Sequence, residues 1–252
     1  MNPRNRIAVI TGAGSGIGAA TALKYGGLGA TTIVCDIDVT SAQKISSQIN
    51  SLGGNAVSYE IDVTDESAVI ELFAYVKRQH GPVTDLVNNV GIEITGSTHQ
   101  FSMENFTRLF DVNVKSCFLC SKVAAAYMIE NKCGAIVNLA SVAAFKTWPG
   151  DGVYSATKAA VLALTKAFAV DLAEYGIRVN AVAPAIVDTP MTERAIAQDP
   201  HPVAGRIRRE QLHPLGRFAS PNEIAESIIF LNSPKAAFTT GTCLTIDGGL
   251  LA

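Results

Sequence analysis

The stretch "RIAVITGAGSGIG" (6–18) decides the fold. It opens as a β-branched run, "RIAVIT" (6–11), passes through a turn with four glycines, and leads into "AATALKYGG" (19–27), a helix-forming segment. A glycine string alone says little, but strand, glycine turn and helix in that order make a phosphate cradle. Gly12, Gly16 and Gly18, with Ser15 and Ile17 between them, allow a tight turn and close approach of the backbone to a pyrophosphate. Free N–H groups and the helix dipole favour negative charge at that point.

The same strand–helix alternation continues outward from this unit. "TTIVCD" (31–36), "AVSYEI" (56–61), "VTDLVN" (83–88), "GAIVNLA" (134–140), "IRVNAVA" (177–183) and "TCLTID" (242–247) read as buried strands. Helical patterns such as "DESAVIELFAYVKRQHG" (65–81) and "SPNEIAESIIFLNSP" (220–234) lie between them, the latter with Ser220 as N-cap and Pro221 at the first helical position. Alternation of this kind predicts an α/β, doubly wound Rossmann fold: about seven parallel strands with helices on both faces, in a single domain spanning 1–252. One long irregular region, 184–215, is expected to form a substrate loop or lid. The segments 104–131 and 154–175 are apolar nearly all round and need cover on every side. A second copy of the chain could supply it, and so could the protein's own loops.

Composition excludes several classes of function. The chain has 252 residues, 48% of them hydrophobic, and a formal net charge of -2, so neither nucleic acid nor an anionic membrane is an expected partner. The start, "MNPRNRIAVITG", lacks the apolar run of a secretory leader. No stretch approaches the ~18 uninterrupted apolar residues of a membrane span. Five cysteines suit reduced thiols and a cytoplasmic protein. Cys117 and Cys120 form a C-x-x-C inside an apolar helical run with no partner pair, and the four histidines are scattered, so no metal is expected.

Four further positions carry chemistry. Asp36 closes the second strand, where an acid can accept hydrogen bonds from both hydroxyls of an adenosine ribose and repel a 2′-phosphate. Its alternative is a plain turn aspartate. Ile37 follows it and no basic group is evident nearby, so NAD(H) is expected over NADP(H). In "DGVYSATKAA" (151–160), Tyr154 and Lys158 stand one helical turn apart on one face, either as a solvated polar patch or as a proton-transfer device. Ser141 ends the fifth strand, at the carboxyl edge where such sheets bind ligands, and no histidine is placed to serve it as a base.

Taken together, these residues resemble the short-chain dehydrogenase/reductase family in its compact one-domain branch, from about residue 6 to the C-terminus. The resemblance rests on T-G-x-x-x-G-x-G at 11–18, "NNVG" at 88–91, Asn113, Ser141, Tyr154-x-x-x-Lys158, "VNAVAP" at 179–184 and "DGG" at 247–249. It implies that Asn113, Ser141, Tyr154 and Lys158 are a catalytic tetrad, with Asn113 holding a water that relays protons to Lys158. By the same resemblance Asp62 and Val63 flank the adenine, Asn89 stabilises the sheet edge, and Gly91 and Pro184 line the cofactor. Ile186 and Thr189 then receive the nicotinamide carboxamide. Two positions depart from the family pattern: Val90 stands for the usual Ala, and Ala185 for the usual Gly, which is inexpensive only at negative φ.

The reading that follows is an NAD(H)-linked oxidoreductase interconverting a secondary alcohol and a ketone, with Tyr154 as general acid/base and a small-molecule carbonyl or alcohol as partner. Substrate contacts are expected from Ser141, Ala143, Trp148, Tyr154, Ala185 and Met191. Phe145, Trp148, Val187 and Met191 would make the wall largely apolar and favour a hydrophobic ketone. Glu93 and Lys146 are candidate polar contacts or surface residues, and arginines 206, 208 and 209 resemble a solvated helix face. A homotetramer with a dimer contact through 104–131 and 154–175 is expected. A 3-oxoacyl-carrier-protein reductase and a non-catalytic nicotinamide-binding regulator are the alternatives.

Overall fold

The structure is a computed structural model that describes residues 6–252; the part of the leader expectation that falls on residues 1–5 lies outside them. Seven strands form one parallel sheet: β1 (Ile7–Thr11), β2 (Thr31–Asp36), β3 (Asn55–Glu60), β4 (Asp85–Asn88), β5 (Gly134–Leu139), β6 (Ile177–Pro184) and β7 (Cys243–Ile246). Their order is β3-β2-β1-β4-β5-β6-β7. The direction of winding reverses between β1 and β4, and in such a sheet a crevice opens there at the carboxyl ends.

Side chains alternate across each strand, so each face of the sheet receives its own core. Val9, Ile33, Leu86, Ile136 and Val179 face one way, into a cluster with Phe73, Leu119 and Met128. These come from α3 (Glu66–Gln79) and α5 (Ser116–Asn131). Ile10, Val34, Val87, Val137 and Val182 face the other way, toward Tyr25, Ile49 and Ile228. Those belong to α1 (Gly16–Gly27), α2 (Val39–Ser51) and α9 (Pro221–Asn232). Ser220 is the N-cap of α9 and Pro221 its first residue, as the Ser-Pro signal predicted, and Glu223 completes a reciprocal capping box.

The region 184–215 differs from its expectation as irregular chain. It contains two helices, α7 (Pro190–Ala197) and α8 (Pro202–Glu210), each opened by a proline at its first position. The three arginines are ion-paired: Arg206 reaches Asp188, Glu193 and Glu210, while Arg208 and Arg209 both reach Asp199. Val187 is also not pocket wall. It is 5% exposed and packs in the second core, tied to Ala219 by a β-bridge.

The segment 104–131 is not one uniform helix. α4 (Met103–Phe110) passes through a π-helical turn, Asp111–Lys115, before α5 begins. α6 (Gly152–Leu172) follows β5. By length and composition, Met103–Asn131 and Gly152–Tyr175 are apolar enough to cross a membrane, yet each lays a buried stripe against the rest of the protein. The buried side of α6 is Val153, Thr157, Lys158, Val161, Thr165, Ala169 and Leu172. Ala156, Ala159, Ala163, Ala167 and Val170 remain exposed on its outer side.

Candidate active site

The glycine turn lies between β1 and α1. Gly12 and Gly16 hold φ of +61° and +53°, a region costly for any residue with a Cβ. Gly18 is required by space: a Cβ there would collide with the Gly12 carbonyl oxygen and lie 2.6 Å from Asn89 Nδ2. Ser15 is the N-cap of α1 but its hydroxyl makes no capping bond, and the first turn carries no acid. The helix N-terminus is therefore left free for an anion. Thr189 closes the other side, its methyl 3.3 Å from where a Gly16 Cβ would stand.

Asp36 lies at the ribose end. Its Oδ2 accepts from Gly14 N at 2.8 Å and its Oδ1 from Asp38 N at 3.0 Å. The carboxylate is thus oriented by backbone, with lone pairs to spare for ribose hydroxyls. Ile37 is 69% exposed beside it and supplies no positive charge. Asp62 is exposed, with its carboxylate turned onto Thr64, and Val63 is buried in the core. Asn89 clamps the first loop, donating to Thr11 O at 3.0 Å and Gly12 O at 2.9 Å. These features fit a dinucleotide.

At the opposite end, Ser141 caps a short turn, Val142–Ala144, and accepts from Ala143 N at 3.1 Å. Tyr154 lies beside the Ser141 hydroxyl. Burial pushes the phenol well above its ordinary range, Glu93 and Asp151 add to that, and the Ser141 bond opposes it. Lys158 Nζ is 5.8 Å from the Tyr154 ring centre and donates to Leu139 O at 2.9 Å. Burial pushes its ammonium down to about 8. Gly91 leaves room for it, since a Cβ at that position would lie 3.2 Å from Lys158 Nζ.

Asn113 sits in the π-turn, a feature that often marks functional positions and that no periodicity could reveal. Both N–H groups of its Nδ2 donate, to Ile92 O and Thr157 Oγ1, and its Oδ1 accepts from Ile92 N. The side chain thus fixes the 91–96 loop. Ala185 has negative φ, so its departure carries no backbone strain. Val90 packs against the first core and over Gly12. Pro184 ends β6, and Ile186 N donates to His213 Nε2 at 3.4 Å.

On the substrate side Ala143 is buried, Trp148 and Ala185 are half-buried, and Met191 and Phe145 are 38% and 53% exposed. Lys146 Nζ lies over the Trp148 ring at 5.6 Å. Sequence reasoning missed three residues here. Thr157 anchors Asn113. His213 is buried between Ile186 and Glu210. Asp151 was within the quoted stretch, but nothing at the sequence level separates it from an ordinary helix cap.

The comparisons extend over the whole arrangement. A family model described as Enoyl-(Acyl carrier protein) reductase matches residues 12–251. The chain is 37% identical over 251 residues to the 3-oxoacyl-acyl-carrier-protein reductase of Thermotoga maritima, covering 100% of both chains. It is 42% identical over 225 residues to the inactive 2-(S)-hydroxypropyl-CoM dehydrogenase 2 of Xanthobacter autotrophicus, covering 89% of this chain and 96% of that protein. The structure of an NAD+-bound xylitol dehydrogenase superposes with a TM-score of 0.92 at 32% identity, covering 97% of this chain and 98% of the other. A cradle at the β1–β4 crevice, a Ser-Tyr-Lys cluster at its far end and full-length likeness to such oxidoreductases agree: the chain belongs to the short-chain dehydrogenase/reductase family.

Proposed function

We propose that the protein is an NAD(H)-dependent oxidoreductase that interconverts a secondary alcohol and a ketone, with Tyr154 as general acid/base. The observation that carries this reading is the convergence of Ser141, Tyr154 and Lys158 at the carboxyl edge of the sheet, across from the glycine cradle. Gly12, Ser15, Gly16, Ile17 and Gly18 would hold the pyrophosphate, Asp36 and Ile37 the adenosine ribose, and Asp62 and Val63 the adenine. Asn89, Gly91, Pro184, Ile186 and Thr189 would complete the seat toward the nicotinamide. Bound nicotinamide supplies or accepts the hydride. Ser141 orients the reacting oxygen by hydrogen bonding, and Tyr154 passes it a proton or takes one from it. The Lys158 ammonium stabilises the phenolate that remains. Asn113 positions the loop that borders them.

Asp36 supports NAD(H) over NADP(H), and so does NAD+ in the xylitol dehydrogenase relative. An NAD(H)-linked screen over secondary alcohols, polyols, ketones and acyl thioesters tests the reaction. The expected result is turnover at least ~10-fold better with NAD(H), consistent with an acid repelling the 2′-phosphate. Asp36→Ala is expected to erase most of that preference. Equal rates with both cofactors in the wild type would count against the assignment.

A second reading, reduction of a 3-oxoacyl thioester, is favoured by the full-length likeness to the Thermotoga maritima reductase. Acetoacetyl thioester reduced faster than every simple ketone would establish it. A cytoplasmic homotetramer completes the proposal. Its contact would run through the exposed alanine stripe of α6 with Val170, which is 78% exposed, and through Phe118, which is 41% exposed. Sedimentation is expected to give a tetramer, and Ala163→Glu smaller species. A wild-type monomer would overturn this part.

A further inference from the structure

The chain that follows α8 inverts the usual order of burial. Leu212 and Leu215 are 48% and 69% exposed, whereas His213 between them is 3% exposed. A lone exposed leucine needs no explanation, but burying a histidine is destabilising unless both ring nitrogens find partners. His213 finds both. Its Nε2 accepts from Ile186 N at 3.4 Å, and its Nδ1 lies 3.2 Å from Glu210 O. The bond from Ile186 requires a bare Nε2, so the ring is neutral and its one N–H, on Nδ1, donates to the Glu210 carbonyl.

The ring is set in place before it reaches Ile186. His213 N donates to Glu210 O at 3.1 Å, which ties the residue to the end of α8. Its ring stands edge-on to Phe218, 6.1 Å between centres, and Arg206 covers Phe218 in turn, 5.1 Å from that ring's centre. Gly248, in the turn after β7, packs against it from a third side. A Cβ there would lie 3.4 Å from His213 Cβ, and Gly248 O accepts from Leu215 N at 3.1 Å. The segment that His213 holds runs from the carboxyl end of β6 to the glycine cradle, where the Thr189 methyl meets Gly16. Ala185 N donates to Ile246 O, Asp188 N donates to Ala219 O, and Ile186 O accepts from Ala219 N, all within the backbone. Among the described residues, the Ile186 N–H is the one N–H of 185–189 secured by a side chain. The N–H groups of Val187 and Thr189 make no hydrogen bond among the described residues and stay available to a ligand.

We infer that His213 is a positioning residue for the nicotinamide half of the cofactor. By anchoring Ile186 it keeps the Val187 and Thr189 donors at a fixed place beside the cradle, and it does so without acting on the adenosine end. Among the described residues, His213 makes no hydrogen bond with β1, β2 or α1, which carry the cradle and Asp36. The inference rests on the dinucleotide reading of the cradle and deepens it. An apolar side chain would fill the same space, but it would leave the Ile186 N–H unpaired and the segment free to shift toward another acceptor. Histidine suits the position because its rigid ring joins two backbone groups from separate elements, the Glu210 carbonyl at the end of α8 and the Ile186 N–H after β6. Small displacements of that segment matter, since hydride transfer depends on where the nicotinamide ring is held.

The test measures NADH and ADP-ribose binding to the full-length protein by calorimetry, because ADP-ribose carries the adenosine end and lacks the nicotinamide. His213→Phe keeps a ring against Phe218 and Gly248 but neither bond. It is expected to weaken NADH about 10-fold, the scale of one lost buried hydrogen bond, while ADP-ribose stays within about twofold. His213→Gln can place an acceptor where Nε2 stood and should return NADH to within about threefold of wild type. His213→Asn places its amide only at the Nδ1 position, should behave as Phe does, and replaces it if Phe does not fold. Thermal melts show which variants are folded. Equal losses of NADH and ADP-ribose would reduce His213 to a support of the fold. Unchanged NADH affinity in Phe or Asn, or a Gln variant no better than they are, would likewise overturn the inference. In each of these cases ADP-ribose binding by the wild type leaves the dinucleotide reading standing. A wild type that binds neither ligand would overturn both.

Discussion

Tyr154→Phe is expected to lower kcat by roughly 10²–10⁴-fold, the span attributed to a positioned general acid/base, while NADH affinity stays within about threefold. The substitution removes one oxygen and keeps the ring that packs beside Lys158. Ser141 keeps its bond from Ala143 N, so no buried group is newly orphaned and stability should hardly change. The environment also sets a pH signature. Burial, Glu93 and Asp151 all hold the phenol above its ordinary range, so near neutrality Tyr154 carries its proton. It is then ready to donate to a ketone, whereas alcohol oxidation requires it to lose that proton. Wild-type oxidation should therefore rise with pH from 7 toward 10 more steeply than reduction does, and the rise should vanish with Phe. Steady-state rates in both directions, with NADH binding followed by fluorescence, decide the matter. A Phe variant that binds NADH and turns over at near wild-type rates would remove Tyr154 from the chemistry.

The parts of this protein governed by local rules were legible in the sequence. β-branched runs gave the five inner strands, because a parallel strand buried on both faces has a composition no loop shares, and the partly exposed edge strands β3 and β7 followed from the regular strand–helix alternation. Asp36 could be placed at a strand end because its neighbours were a strand and a helix start. The parts governed by tertiary contacts were not legible. α7 and α8 are short and polar, and Arg206 helps hold them through three carboxylates drawn from positions 188, 193 and 210. No window of sequence contains that network. Asn113 appeared to be a polar spacer because a π-turn shifts a side chain's direction without altering composition. Val187 appeared to be pocket wall because it neighbours Ile186, yet the bridge to Ala219 turns it into the core. Asp151 could be recognised only once the structure revealed that it fails to cap its own helix.

Lys158→Met should be the second large loss, and it should be accompanied by unchanged or greater stability. The activity argument is direct. Without the ammonium nothing positive from the protein stabilises the phenolate, and a roughly 10²–10⁴-fold fall in kcat/KM is expected. The stability argument follows from burial. Lys158 is 4% exposed and its ammonium is pushed from 10.5 to about 8. That depression corresponds to roughly 3 kcal/mol of cost for keeping the charge folded at pH 7. Met removes the cost while filling similar space, offset in part by the loss of the bond to Leu139 O. The sign with pH follows from proton counting. Below about 8 the lysine is charged in both states and the folded state bears the full cost. Between 8 and 10.5 the folded lysine is neutral while the unfolded one still binds its proton, so wild-type stability rises with pH relative to the variant. Any advantage of Met in Tm should thus be greatest at pH 7 and shrink toward pH 10. Thermal melts of the cofactor-free proteins at both pH values measure it. A Met variant melting more than ~5 °C below wild type at pH 7, about 2 kcal/mol for a domain of this size, would show that Lys158 serves the fold rather than burdening it.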